Sequence, residues 1–133
     1  MDFFVLVTIV APLVSLSLHE LCHLAFARTS GPISVDVASL VPLRVDIEFD
    51  SSPSASLVRL VAIAPLLTGL CLAAGVHATG VWDALEQLEP YYLSYLFVLN
   101  WLVFSHVSLA DARLALNPHD SYQSTSMTAK EVH

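Results

Sequence analysis

Basic side chains are scarce in this chain. Lys130 is its sole lysine, and with four arginines against twelve acidic residues the net charge is −7. Nucleic-acid binding needs a basic face to meet phosphate, so that class of partner is excluded. Charge of either sign is also sparse, at 13% against a soluble norm of about 25%. Only two cysteines are present, Cys22 and Cys71, both in apolar stretches, where they read as small buried side chains and not as a disulfide framework. The N-terminal apolar run has no basic residues before it, so it reads as a retained segment and not as a cleavable signal peptide. No internal repeat is visible. What the chain does have is grease: 56% of its residues are hydrophobic, more than a water-soluble core of this length needs.

That excess is arranged in three runs, at about 3–27, 57–81 and 91–116, each near the ~20 residues that a bilayer crossing takes. Lipid offers no partner for an unpaired backbone, so all three are expected to be helices. The fold class expected is an all-α membrane protein of three transmembrane helices, with residues 1–117 as its core. Pro12 and Pro65 fall inside the first and second runs, and Tyr91 and Tyr92 suit a membrane interface at the start of the third. Arg28, Arg44 and Arg59 flank or occupy the first connection, Arg113 and Lys130 follow the third run, and the connection 79–90 has no basic residue. The positive-inside tendency then places the N-terminus outside and the C-terminus in the cytoplasm. Residues 118–133 are polar and read as a cytoplasmic tail.

The connection between the first two runs has its own pattern. From Ile33 to Phe49 the odd positions are mostly apolar, while Asp36, Arg44, Asp46 and Glu48 stand at even ones. A period of two predicts strand, and Pro42 is expected to divide it into a short β-hairpin over 33–49. Such a hairpin either covers the mouth of the bundle or offers an edge, near Val45 and Ile47, that captures an extended peptide.

The chemistry centres on His19-Glu20-Leu21-Cys22-His23, an H-E-x-x-H signature near the end of the first run. Residues four apart share a helix face, so His19 and His23 can hold one zinc ion while Glu20 stands beside it as a base for metal-activated water. Cys22 points off that face. An ionisable residue at membrane depth costs about 2.5–3.5 kcal/mol on insertion scales, so an idle Glu20 there is hard to sustain. Zinc wants a third protein ligand, and Asp111, His106, His77, His119 and His133 are the candidates. Depth favours Asp111, about one turn before the cytoplasmic end of the third run. His106 follows, about 7 Å further into the bilayer on an unbroken helix. Asn100, mid-run, is suited either to holding a substrate backbone or oxyanion, or to binding a neighbouring helix. Thr68 and Gly69 read as close-packing residues.

These features together resemble the site-2 protease family of intramembrane zinc metalloproteases, in a minimal three-helix form. The resemblance rests on Leu18 to Ala25 around the metal motif, the strand-like connection, Ala62-Ile63-Ala64-Pro65-Leu66-Leu67, and Ser108-Leu109-Ala110-Asp111-Ala112-Arg113-Leu114. It spans most of residues 15–116, with Ala112 standing where the family has glycine. The resemblance implies zinc bound by His19, His23 and Asp111, Glu20 as general base, and hydrolysis of a peptide bond in or near a substrate's membrane segment. The expected partners are a membrane-protein or peptide substrate, the lipid bilayer, and a second copy of the chain in a homo-oligomer. The alternative expectation is a zinc-binding but proteolytically inactive membrane scaffold.

Overall fold

A stripe of small and polar residues, not of large apolar ones, turns inward on the first helix, α1 (Phe3–Arg28). Ser15, His19, His23 and Ala27 recur at every fourth position and are buried, whereas Val14, Leu18 and Leu21 face outward. Outward leucine and valine with inward serine and histidine is the pattern that a bilayer stabilises and water does not. The computed structural model describes residues 3–87 and 92–118, which form five helices and one two-stranded sheet in the order α1, β1 (Ile33–Leu40), β2 (Leu43–Phe49), α2 (Ala55–Ala78), α3 (Val81–Glu86), α4 (Tyr92–Ser105) and α5 (Leu109–Leu116).

The all-α expectation therefore holds in its coarse form, mostly helix with a two-stranded antiparallel hairpin. Helices α1 and α2 are long and apolar enough to cross a membrane. The third run departs from expectation. It is not one helix over 91–116 but two, α4 and α5, bent by 43° at a short break. Fourteen residues of α4 rise about 21 Å, short of a hydrocarbon core of about 30 Å, so a third span exists only if the bent pair counts as one. The break has a local cause. Ser108 caps α5, its hydroxyl accepting from the Asp111 N–H at 3.0 Å while the Asp111 carboxylate accepts the Ser108 N–H at 3.1 Å. This reciprocal cap starts a new helix and ends the old one. Tyr91, Pro90 and the tail beyond Pro118 lie outside the described residues.

Helix α2 starts two residues earlier than expected because Ser54 caps it, accepting from the Leu57 N–H at 3.2 Å. It stops before Gly80, which takes a left-handed φ of 72°, and the connection that follows contains the short helix α3. Packed against α1, α4 and α5, α2 supplies most of the buried centre: Val58, Val61, Ala62, Ala64 and Pro65. The Arg59 guanidinium donates to the Ala115 carbonyl at 3.1 Å, tying the last turn of α5 to α2.

At Gly69, α2 and α4 leave no room for a side chain. A Cβ built there would meet Ser105 Oγ at 1.9 Å and Ser105 Cβ at 2.7 Å, and Trp101 Nε1 donates to the Gly69 carbonyl at 2.8 Å. Gly69→Ala should therefore force α4 outward and destabilise the fold by about 1–3 kcal/mol, read by thermal unfolding in detergent. Ser105→Gly in the same chain should recover most of the loss. An alanine variant as stable as wild type would show that the helices are not in contact here.

The hairpin follows the period-two reading. Val35 pairs with Ile47 and Val37 with Val45, with one irregularity between Val37 and Ser39 on β1. On β2, Leu43, Val45, Ile47 and Phe49 are half-buried and the residues between are exposed, while β1 is mostly exposed. The Leu43 N–H donates to Ser17 Oγ at 3.1 Å, fastening β2 to α1 beside the histidines.

Candidate metal centre

Two imidazoles one turn apart meet a carboxylate from a distant helix. His19 and His23 on α1 are buried, 4% and 8% exposed, and their Nε2 atoms lie 3.1 Å apart. Asp111, in the first turn of α5, brings Oδ1 to 3.6 Å from His23 Nε2 and Oδ2 to 3.9 Å from His19 Nε2. The three residues offer ligand atoms that all fall within 4.8 Å of one another.

Hydrogen bonds on the far side of each ring decide which nitrogens are bare. His19 Nδ1 lies 2.8 Å from the Phe104 carbonyl, and His23 Nδ1 lies 2.7 Å from the Val61 carbonyl. A carbonyl only accepts, so both Nδ1 atoms carry the proton. In the neutral imidazole Nε2 is then a bare lone pair. Two bare lone pairs at 3.1 Å, facing a carboxylate, repel unless a cation lies among them. A proton held between the rings would also draw the carboxylate, but a metal ion alone binds all three donors directly.

The donor set fits zinc. Tetrahedral zinc with nitrogen and oxygen ligands at about 2.0–2.1 Å sets neighbouring ligand atoms about 3.3 Å apart. The two Nε2 atoms, 3.1 Å apart, are close to that value. Asp111 stands further out, with Oδ1 3.6 Å from His23 and Oδ2 3.9 Å from His19, and one donor atom from each residue falls within 4.8 Å of the others. Two histidines and one carboxylate leave a fourth position for water, as catalytic zinc sites do. Each of the three candidate ligands also has an outer partner, which metal sites use to hold ring and carboxylate orientation. For Asp111 that partner is Ser108, whose hydroxyl donates to Oδ2 at 2.6 Å.

The three residues open onto a cleft of about 460 Å³ between α1, β2, α2 and α5, lined by Glu20 and by β2. Glu20 is half-buried, and no basic side chain among the described residues pairs with it. Residues 42–47 line the cleft consecutively. Side chains alternate along a strand, so unbroken contact means that the strand presents its backbone edge. The Leu43 N–H already points away from β1, and by the same alternation those of Val45 and Ile47 do too.

Of the residues singled out in the sequence, His19, His23 and Asp111 come together, and Glu20, Val45 and Ile47 line the cleft they open on. Asn100 does not. Its Oδ1 accepts from Ser15 on α1 at 3.0 Å, an interhelical bond, and its Nδ2 donates to the Leu96 carbonyl at 2.7 Å within α4. His106 lies in the break between α4 and α5, where its ring stacks on His19 at 4.6 Å with Nδ1 2.6 Å from the Val103 carbonyl. The break replaces the unbroken helix on which His106 was expected about 7 Å further along than Asp111. His77 is exposed near the far end of α2, and His119 and His133 lie outside the described residues. The reading of single residues missed Ser108. Its signal was nevertheless in plain view as Ser108-Leu109-Ala110-Asp111, a serine three residues before an acid.

Comparison with protein-family models, with curated proteins and with solved structures finds no match to this chain.

Proposed function

We propose that this chain is an intramembrane zinc endopeptidase of the site-2 protease type. One observation carries the reading: two bare imidazole nitrogens and a carboxylate converge within 4.8 Å, and the cleft they open on contains an acid with no basic partner among the described residues. Zinc bound by His19, His23 and Asp111 would supply a Lewis acid for the scissile carbonyl and lower the pKa of water. Glu20 takes the proton of the attacking water and returns it to the leaving amine.

The substrate is a membrane segment unwound near one end. Unwinding frees backbone groups that cost several kcal/mol each in lipid when left without partners. The outer edge of β2, at Val45 and Ile47, supplies partners by adding the substrate as a further strand. This orders an extended peptide beside Glu20. The N-terminus lies outside and the C-terminus in the cytoplasm, which sets the cleft at the cytoplasmic end. Arg28, Arg44 and Arg59 support that orientation. Few helices surround the site, and a second copy of the chain would thicken its wall.

The test is metal removal. Purified chain in detergent is incubated with a set of single membrane-spanning polypeptides. Cleavage should fall to background when a chelator strips the metal and return when zinc is restored. Cleavage that persists in the stripped protein would exclude a metal-dependent mechanism.

A further inference from the structure

Each of the two imidazoles leans on a main-chain carbonyl that lacks its helical N–H partner, so the ring nitrogen does not share it. In an α-helix the carbonyl of residue i accepts from the N–H of residue i+4. For Val61 that donor would be residue 65, and Pro65 has no N–H. Pro65 sits inside α2 and is fully buried, and a proline ring also crowds the carbonyl four residues before it. The vacated Val61 oxygen is the one that His23 Nδ1 reaches at 2.7 Å.

The same arithmetic holds on the other side of the site. The carbonyl of Phe104 would accept from Ser108, but α4 ends at Ser105 and the Ser108 N–H is given to Asp111 Oδ2 at 3.1 Å. His19 Nδ1 takes the Phe104 oxygen at 2.8 Å. Both interruptions thus do the same job for different rings. Ser108 does two jobs at once, because the N–H it withholds from Phe104 also orients the third ligand.

The geometry points to Pro65 as a positioning residue for the metal site, with Ser108 as its counterpart. By withholding an N–H from the carbonyl four residues earlier, each leaves an acceptor that holds one ligand histidine as the Nδ1–H tautomer, with Nε2 bare. Where the carbonyl must also serve a helical N–H, its bond to the ring weakens and a neutral imidazole divides more evenly between tautomers, and the Nε2–H form cannot bind metal through Nε2. The assignment rests on reading His19, His23 and Asp111 as a metal site, but its first consequence concerns the metal-free protein.

Pro65→Ala tests it, since alanine restores the missing N–H in a good helix former. Nitrogen NMR of the metal-free chain with labelled histidine, at a pH where the rings are neutral, should show His23 as Nδ1–H in wild type and as a mixture in the variant. Zinc affinity, measured by chelator competition, should fall about 10- to 100-fold, the range for losing an outer partner of a ligand. Thermal stability of the metal-free variant should be unchanged or higher, because a proline has left a helix interior. A merely structural role predicts a different result: stability and affinity fall together and the tautomer stays. Pro12→Ala, which removes the proline of α1, should move neither tautomer nor affinity. Should Pro65→Ala fail to fold, Pro65→Gly restores the same N–H and carries the same expectations. A variant that keeps His23 as Nδ1–H and binds zinc as tightly as wild type overturns the assignment. Nδ1–H histidines in a wild-type chain that binds no zinc would support the role of Pro65 while removing the metal reading.

Discussion

Replacing Glu20 with glutamine should leave zinc in place and remove peptide hydrolysis. The exchange keeps side-chain shape and touches neither imidazole nor Asp111, so metal content by elemental analysis should equal wild type. An amide cannot accept the proton of the attacking water. A positioned general base contributes about 10²- to 10⁴-fold to such a reaction, and the cleavage rate should fall by that factor. Glu20 is half-buried in the cleft, and few other acids there can take the proton. Among the described residues lining the cleft, Asp111 is committed to His23 and Ser108, and Asp46 stands on the exposed side of β2. A Glu20→Gln chain that holds zinc and cleaves at the wild-type rate would end the proposed mechanism.

The second large effect separates the third ligand from its neighbour. Asp111→Asn should lower zinc affinity by more than about 100-fold, beyond the range of an outer partner, because an amide oxygen is a poor replacement for a carboxylate ligand. Asparagine still offers an oxygen to the Ser108 hydroxyl, so the α5 cap and the fold should survive. Asp111→Ala would remove the cap as well, costing about 1 kcal/mol in addition. His106→Ala should leave zinc stoichiometry intact, since that ring stacks on His19 without joining the ligand atoms. Chelator competition on the three variants checks the order. If His106→Ala loses the metal and Asp111→Asn keeps it, the third ligand has been assigned to the wrong residue.

Much of the site could be read from local spacing. The interval between His19 and His23 is one helical turn, and that alone puts both rings on one face. Alternation between Ile33 and Phe49 was enough for the hairpin, because the side-chain period of a strand is two and Pro42 falls at the turn. The break in the third run was legible in principle through Ser108 and Asp111. It was overlooked because the apolar run around them continues and suggests one helix. The break also bears on His106, since a rise of 1.5 Å per residue holds only while the helix lasts.

Asn100 illustrates the other kind of limit. Its side chain is equally suited to a substrate or to a helix, and the choice depends on Ser15, eighty-five residues away. Pro65 is similar: a proline in an apolar helix reads as a kink until His23 is seen beside the carbonyl it vacates.

The order of residues, then, determined everything that depends on neighbours within a few turns: apolar lengths, the two-residue rhythm of the hairpin, the shared face of the imidazoles. Those follow from backbone geometry, which repeats over short distances. Folding in three dimensions decided which carboxylate meets the imidazoles, which nitrogens are bare, and where Asn100 finds its partner. Each of those depends on groups far apart in the chain, and only the packing of α1, α2 and α5 around one small volume brings them within bonding distance.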